Sequence, residues 1–265
     1  MYPPETFARF LGNVMPGDLI FSCMAGVSRF FVNSSHRPAV IEWAGEAEPG
    51  KHPSWVSMAR KLRDPATGQL IPRLVAMFRA GEPKRIAAFG FSAGSNSGLR
   101  ELLRHPKDRA MVSFVGSIDG LHPTTNWNAT ALADFDLQVL PFAEYALRAA
   151  RGEATMVITG NNLAAPTATT YQTPQTMRLI NQWVVEKLGG TDAVKDYPTN
   201  MALIREFLSK GGPVPNGVGG IGRAYWFEYP GTQKRDHIEQ ANIVTPNVVR
   251  TFLADAWKSE DGPSA

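Results

Sequence analysis

The chain has one cysteine, Cys23, in 265 residues, so neither an intramolecular disulfide nor a cysteine-based metal site can form, and stability has to come from a buried core. No stretch approaches 18 uninterrupted apolar residues, so no membrane-spanning helix is expected. The opening Met1-Tyr2-Pro3-Pro4-Glu5 lacks the basic and apolar regions of a secretory signal, and the expected location is the cytoplasm. Basic runs are missing too. The formal charge of +3 is spread along the chain, so a phosphate-tracking surface, and with it nucleic acid as a partner, is not expected. No H-x-x-x-H pair or acidic cluster with metal spacing occurs, so neither a metal nor another cofactor is called for.

What the chain does have is an ordinary globular composition, 43% hydrophobic and 19% charged, enough for one domain spanning residues 1–265. Apolar runs bounded by Gly, Pro and Asn alternate with amphipathic stretches, the pattern of successive βα units and a mostly parallel sheet flanked by helices on both faces. Strands are predicted at 19–22, 85–90, 111–116, 155–158 and 224–229, and residues 32–53, rich in Pro, Gly, His and Ser, read as loop. Helices are predicted after residue 92 (buried face Leu99, Leu102, Leu103), from Pro141 to Gly152, from Thr173-Pro174, from about Asn200, and from Thr245-Pro246. The helix after Thr173 would bury Met177, Ile180, Val184 and Leu188, and the last one Val249, Phe252, Leu253 and Ala256.

The segment Gly90-Phe91-Ser92-Ala93-Gly94 is a G-x-S-x-G set between a predicted buried strand and a predicted helix. A chain turning that sharply strains the backbone of the central serine and requires small residues two before and two after it. Gly90 and Gly94 meet that demand. The turn would lift the Ser92 hydroxyl above the sheet edge and aim the Ala93 N–H, at a helix N-terminus, toward a developing oxyanion.

A serine hydroxyl is a weak nucleophile until a base takes its proton. Of five histidines, His237 lies after the last predicted strand, in the connection to the C-terminal helix; His36, His52 and His105 precede it in less suitable places. His122 is the rival, read as a loop residue or substrate contact. The base needs a carboxylate to fix its tautomer. After the strand at 155–158 the chain reads Gly160-Asn161-Asn162 and offers no aspartate until Asp192, whereas Ile118-Asp119-Gly120 closes an earlier strand. Asp119 is therefore the expected acid, with Asp192, Asp196 and Asp236 as alternatives.

The elbow Gly90-Phe91-Ser92-Ala93-Gly94, the Asp119-Gly120 strand end and the late His237, in the order Ser, Asp, His, resemble the α/β-hydrolase superfamily. The resemblance implies that fold with a shortened N-terminal part, and a cofactor-independent hydrolase acting on a small-molecule or lipid-like ester through an acyl-enzyme. It also implies a second oxyanion donor from the loop after an early strand, where Met24 and Ala25 stand. Trp127 and Tyr171, with His122, are candidate substrate contacts. An amidase or peptidase would use the same triad, and a binding protein could keep the fold without turnover. Gly217-Val218-Gly219-Gly220-Ile221-Gly222 fits the letters of a dinucleotide fingerprint but leads into a strand rather than a helix, and reads as a flexible loop.

Overall fold

The computed structural model describes residues 8–11, 18–24, 39–43, 55–78, 82–123, 132–162 and 172–261. Two units divide the chain, Met1–Ser113 and Phe114–Ala265.

In the first unit, β1 (Ala8–Leu11), β2 (Asp18–Cys23), β3 (Ala39–Trp43) and β4 (Arg85–Phe91) lie in the order β1-β3-β2-β4. β2 runs parallel to both β3 and β4, and β1 runs antiparallel to β3. Leu19, Ile20, Phe21 and, on β4, Ile86 to Phe89 are buried without the alternation of a half-exposed strand, as expected for parallel strands covered on both faces. Arg85 and Asp18 sit opposite one another in the register and close a bidentate ion pair, Nε–Oδ1 and Nη2–Oδ2 both at 2.7 Å. Helices α1 (Trp55–Leu62) and α2 (Ile71–Phe78) precede β4. Beyond β4 a π-helical turn, Gly94–Leu99, runs directly into α3 (Arg100–Arg104), and Leu99, Leu102 and Leu103 are fully buried. Pro106 ends that helix and opens the next, α4 (Pro106–Met111), because the ring forces His105 into extended backbone and is itself tolerated at a helix start.

Asp108 on α4 is fully buried. Its carboxylate accepts the N–H groups of Leu70 (2.8 Å) and Ile71 (3.0 Å) and so caps α2 from another helix, and Arg63 Nη1 lies 3.4 Å away.

In the second unit, β5 (Phe114–Ile118), β6 (Thr155–Asn161), β7 (Gly217–Ile221) and β8 (Ala224–Tyr229) lie in the order β5-β6-β8-β7, with only the β7–β8 hairpin antiparallel. The connections carry α5 (Leu132–Gln138), α6 (Leu140–Ala150), α7 (Thr173–Leu188) and α8 (Met201–Ser209). The chain then enters a continuous helical run, residues 234–261. Its α-helical stretches, α9 (Lys234–Glu239), α10 (Thr245–Val248) and α11 (Ala254–Asp261), are joined by π-helical turns Gln240–Val244 and Val249–Leu253. Phe207, Tyr225, Phe227 and Phe252 stack in one aromatic cluster under this run. The α/β class with a mostly parallel sheet stands: within the units, four strand pairings are parallel and two antiparallel. Among the described residues no helix is long and apolar enough to cross a membrane.

Several local readings are corrected. Residues 39–43 form β3 inside the stretch read as loop; the buried Glu42 in Ala-Val-Ile-Glu-Trp had hidden the strand pattern. Residues 217–221 are strand β7, not a flexible loop, and the glycine there makes room for a neighbour: a Cβ on Gly219 would fall 2.1 Å from the Trp226 ring nitrogen. Met111 ends α4, so β5 begins only at Phe114. α7 takes its cap one residue earlier, with Gln175 Oε1 accepting the Gln172 N–H at 2.9 Å. Thr245-Pro246 lies within the last helical run, which begins eleven residues earlier at Lys234.

Asp108→Ala should destabilise the protein by about 3 kcal/mol, since it leaves two buried N–H groups without their acceptor and takes from Arg63 one of its two carboxylate partners, the other being Glu101 at 3.6 Å. Urea denaturation measures this. Asp192→Ala, at an ion pair with Lys195 on the surface, should leave the midpoint where it was.

Candidate active site

The residues singled out in the sequence fall into two groups, one in each unit. In the first, Ser92 joins β4 to the helix after it with φ at +53°, a left-handed conformation that L-residues other than Gly, Asn and Asp seldom adopt. Its carbonyl accepts the N–H groups of Ser95 (3.0 Å) and Asn96 (3.1 Å), which fastens the turn to the start of the helix. The flanking glycines are required sterically. A Cβ on Gly94 would lie 1.9 Å from the Cys23 carbonyl oxygen at the end of β2, and one on Gly90 would lie 2.7 Å from the Ser95 Cα. The π-helical turn that follows is a form found often at functional sites. Ala93 is exposed at the head of this helix, and Ser92 is half-buried.

Met24 stands just beyond β2. Its N–H donates to Ser22 Oγ at 3.2 Å and its carbonyl accepts from the same hydroxyl at 2.8 Å. Ala25, Trp127 and Tyr171 lie outside the described residues, as do His36 and His52. Cys23 is buried against the elbow, and burial pushes its thiol pKa up, so it stays protonated and inert.

In the second unit Asp119 follows β5 directly and also has a left-handed backbone, φ +40°. It is fully buried. Its N–H donates to the Thr159 carbonyl at 2.8 Å, and Oδ1 accepts the Asn161 N–H at 3.0 Å. Oδ2 lies 2.7 Å from His237 Nδ1. A carboxylate can only accept here, so Nδ1 carries a proton. His237 sits in the first turn of α9 rather than in the loop before it. Asp236 caps that turn, its Oδ2 accepting the N–H groups of Thr232 and Gln233, each at 2.9 Å; these bonds, the one from Gln233 foremost, hold its carboxyl below the usual carboxylate range.

No family model and no curated protein matches this chain. Among solved structures it is similar to the crystal structure of Mycobacterium tuberculosis MPT51 (FbpC1), at 12% identity and a TM-score of 0.43, over 90% of this chain and 92% of that one.

The structure brings His122 to the same place. Its Nε2 lies 3.0 Å from the Asp119 carbonyl oxygen, and its ring centroid is 6.1 Å from that of His237. Burial pushes its pKa below the ordinary histidine value; the nearby charge of Asp119 works against this and His237 with it. Asp119, His122 and His237 offer ligand atoms within 4.8 Å of one another. Two atoms bound to one tetrahedral zinc stand about 3.3 Å apart. The 2.7 Å contact between Asp119 and His237 is shorter than that and is a hydrogen bond.

The other acids are elsewhere. Asp192 is fully solvated beside Lys195, and Asp196 is exposed on the short turn Ala193–Asp196. Sequence reading missed Asn161 and Thr159, whose main-chain groups hold Asp119. Only the want of an acid after β6 pointed there, and a backbone N–H leaves no mark in a sequence.

An NMR titration should show His122 with a midpoint below 6.5. Because folding then disfavours its protonated form, its contribution to stability is complete above the unfolded-state value and is lost as pH falls toward the folded one. The unfolding free energy should decline in that window, and decline less in His122→Gln.

Proposed function

We propose that this protein is a serine hydrolase of the α/β-hydrolase type that cleaves carboxylic esters through an acyl-enzyme. Ser92 is the nucleophile, His237 the base and Asp119 the acid behind it. The observation that carries the reading is the Ser92 backbone: a left-handed serine, φ +53°, at a strand-to-helix turn that glycines two residues to either side make possible. Such strain in a polar, half-exposed residue contributes nothing to packing, and it aims a hydroxyl outward. The Asp119–His237 hydrogen bond supports the reading independently, because it leaves Nε2 as the basic nitrogen.

In the proposed reaction Ser92 Oγ attacks the ester carbonyl carbon as its proton passes to His237 Nε2. Asp119 stays ionised and stabilises the imidazolium. The carbonyl oxygen, now an oxyanion, is met by the Ala93 N–H at the head of the helix. Collapse expels the alcohol, which takes the proton from His237, and a water activated by the same imidazole then releases the acid from Ser92. The Met24 N–H is engaged with Ser22 Oγ, so of the two candidates for the second oxyanion donor Ala25 is the better. Trp127 and Tyr171 are proposed to line the acyl site. The proposed substrate is a small-molecule or lipid-like ester.

Ser92→Ala should lower ester hydrolysis by at least about a hundredfold and abolish labelling by a fluorophosphonate, with the circular dichroism spectrum unchanged. Asp119→Asn should cost about three to four orders of magnitude in kcat through the wrong tautomer, and Asp192→Asn less than about twofold. Retained hydrolysis in Ser92→Ala would refute the proposal. A panel of acyl esters and matched amides would name the substrate class.

A further inference from the structure

The segment after Asp119 is built to stay still. Leu121 is buried, and its carbonyl accepts from the buried Thr176 hydroxyl of α7 at 3.0 Å. Pro123 restricts the backbone of His122 to extended conformations. Between Asp119 and these anchors stands Gly120, which has no side chain to resist rotation of the peptide linking 119 to 120. The orientation of that peptide sets the backbone of Asp119, and with it the direction of the carboxylate. The carbonyl of this same peptide is the acceptor that His122 Nε2 approaches at 3.0 Å. A carbonyl cannot donate, so Nε2 carries a proton in this contact, and burial lowers the pKa of the ring.

We propose that His122 is a positioning residue. Its Nε2–H holds the Asp119 carbonyl, locks the peptide before Gly120, and thereby keeps the left-handed Asp119 aimed at His237 Nδ1. The inference rests on the reading of Asp119 and His237 as acid and base. It assigns His122 to the acid's backbone rather than to the substrate. A histidine suits this place because its ring spans three residues back along the chain to reach the carbonyl.

The test uses the full chain with His122→Ala and His122→Gln, the latter able to present an amide N–H to the same carbonyl. Kinetics are read on a short-chain p-nitrophenyl ester, and the downfield proton of the His237 Nδ1–H···Asp119 bond is read by NMR. Expected for His122→Ala is a fall in kcat of about tenfold or more with KM within about twofold, as for loss of a supporting hydrogen bond, and loss or a marked upfield shift of the downfield proton. His122→Gln should return kcat to within about threefold of the native protein and restore the resonance. A rise in KM at unchanged kcat would make His122 a substrate contact and overturn the proposal, as would an unaltered downfield proton in His122→Ala or equal losses in both variants. If His122→Ala does not fold, His122→Gln decides alone: near-native kcat and resonance support the proposal, and their loss refutes it. The resonance is also read in a Ser92→Ala background, where it does not depend on turnover, so failure of the nucleophile assignment is told apart from failure of this one.

Discussion

A buried carboxylate has to have all its partners in place or it destabilises whatever surrounds it. Asp119 meets that condition with four contacts. Its two oxygens go to Asn161 N–H and His237 Nδ1, its own N–H to the Thr159 carbonyl, and its carbonyl to His122. These partners come from β6, from the loop after β5 and from the first turn of α9, so one residue, through its side chain and its main chain together, ties three parts of the second unit. The left-handed backbone at +40° follows from the same demand, since only a sharp turn at the end of β5 lets main chain and side chain be satisfied together. Aspartate tolerates that conformation better than most residues, which is why the strain is affordable at this place.

The first unit solves a related problem with less chemistry. Ser92 is held left-handed because β4, the turn and the following helix leave no other path, and the closest approach is between backbones: Gly94 against the Cys23 carbonyl. Any side chain at 94 would separate β2 from the helix. Arg85 and Asp18 fix the other end of the same strand pair, so the β2–β4 ladder is pinned at both ends by features of quite different kinds, an ion pair at one and an absent side chain at the other.

Much of this was legible in the amino-acid order. The glycines at 90 and 94, the apolar run before them and the Leu99, Leu102, Leu103 face state the turn and the elements flanking it, and the lack of an aspartate between the strand at 155–158 and Asp192 directs attention to Asp119. The failures share a cause. Glu42, a buried acidic residue, and Gly217, Gly219 and Gly220, strand residues without side chains, carry the opposite of the usual strand signal; at Gly219 the place is decided by the Trp226 ring across the hairpin. The helix that carries His237 has no apolar stripe to announce it in the sequence; its first turn is closed by polar capping from Asp236. His122 was read by its residue type, and the bond that defines it, to a carbonyl three residues back, is invisible until the loop is folded.

The π-helical turns in the last helical run have a consequence for how this site can change. Each residue of a regular helix advances the direction of its side chain by about 100°, and a π turn accommodates one residue more than the regular repeat. The stretch Gln240–Val244 lies between the turn that carries His237 and the face, Val249, Phe252 and Leu253, that packs into the core. It therefore acts as a phase adjuster: the imidazole is brought to bear by one extra residue, while the buried stripe keeps its own angular position. Removing a residue there would leave the core stripe anchored and swing His237 about a quarter turn away from Asp119, so a single length change in the helical run would break the bond between them without unfolding the chain.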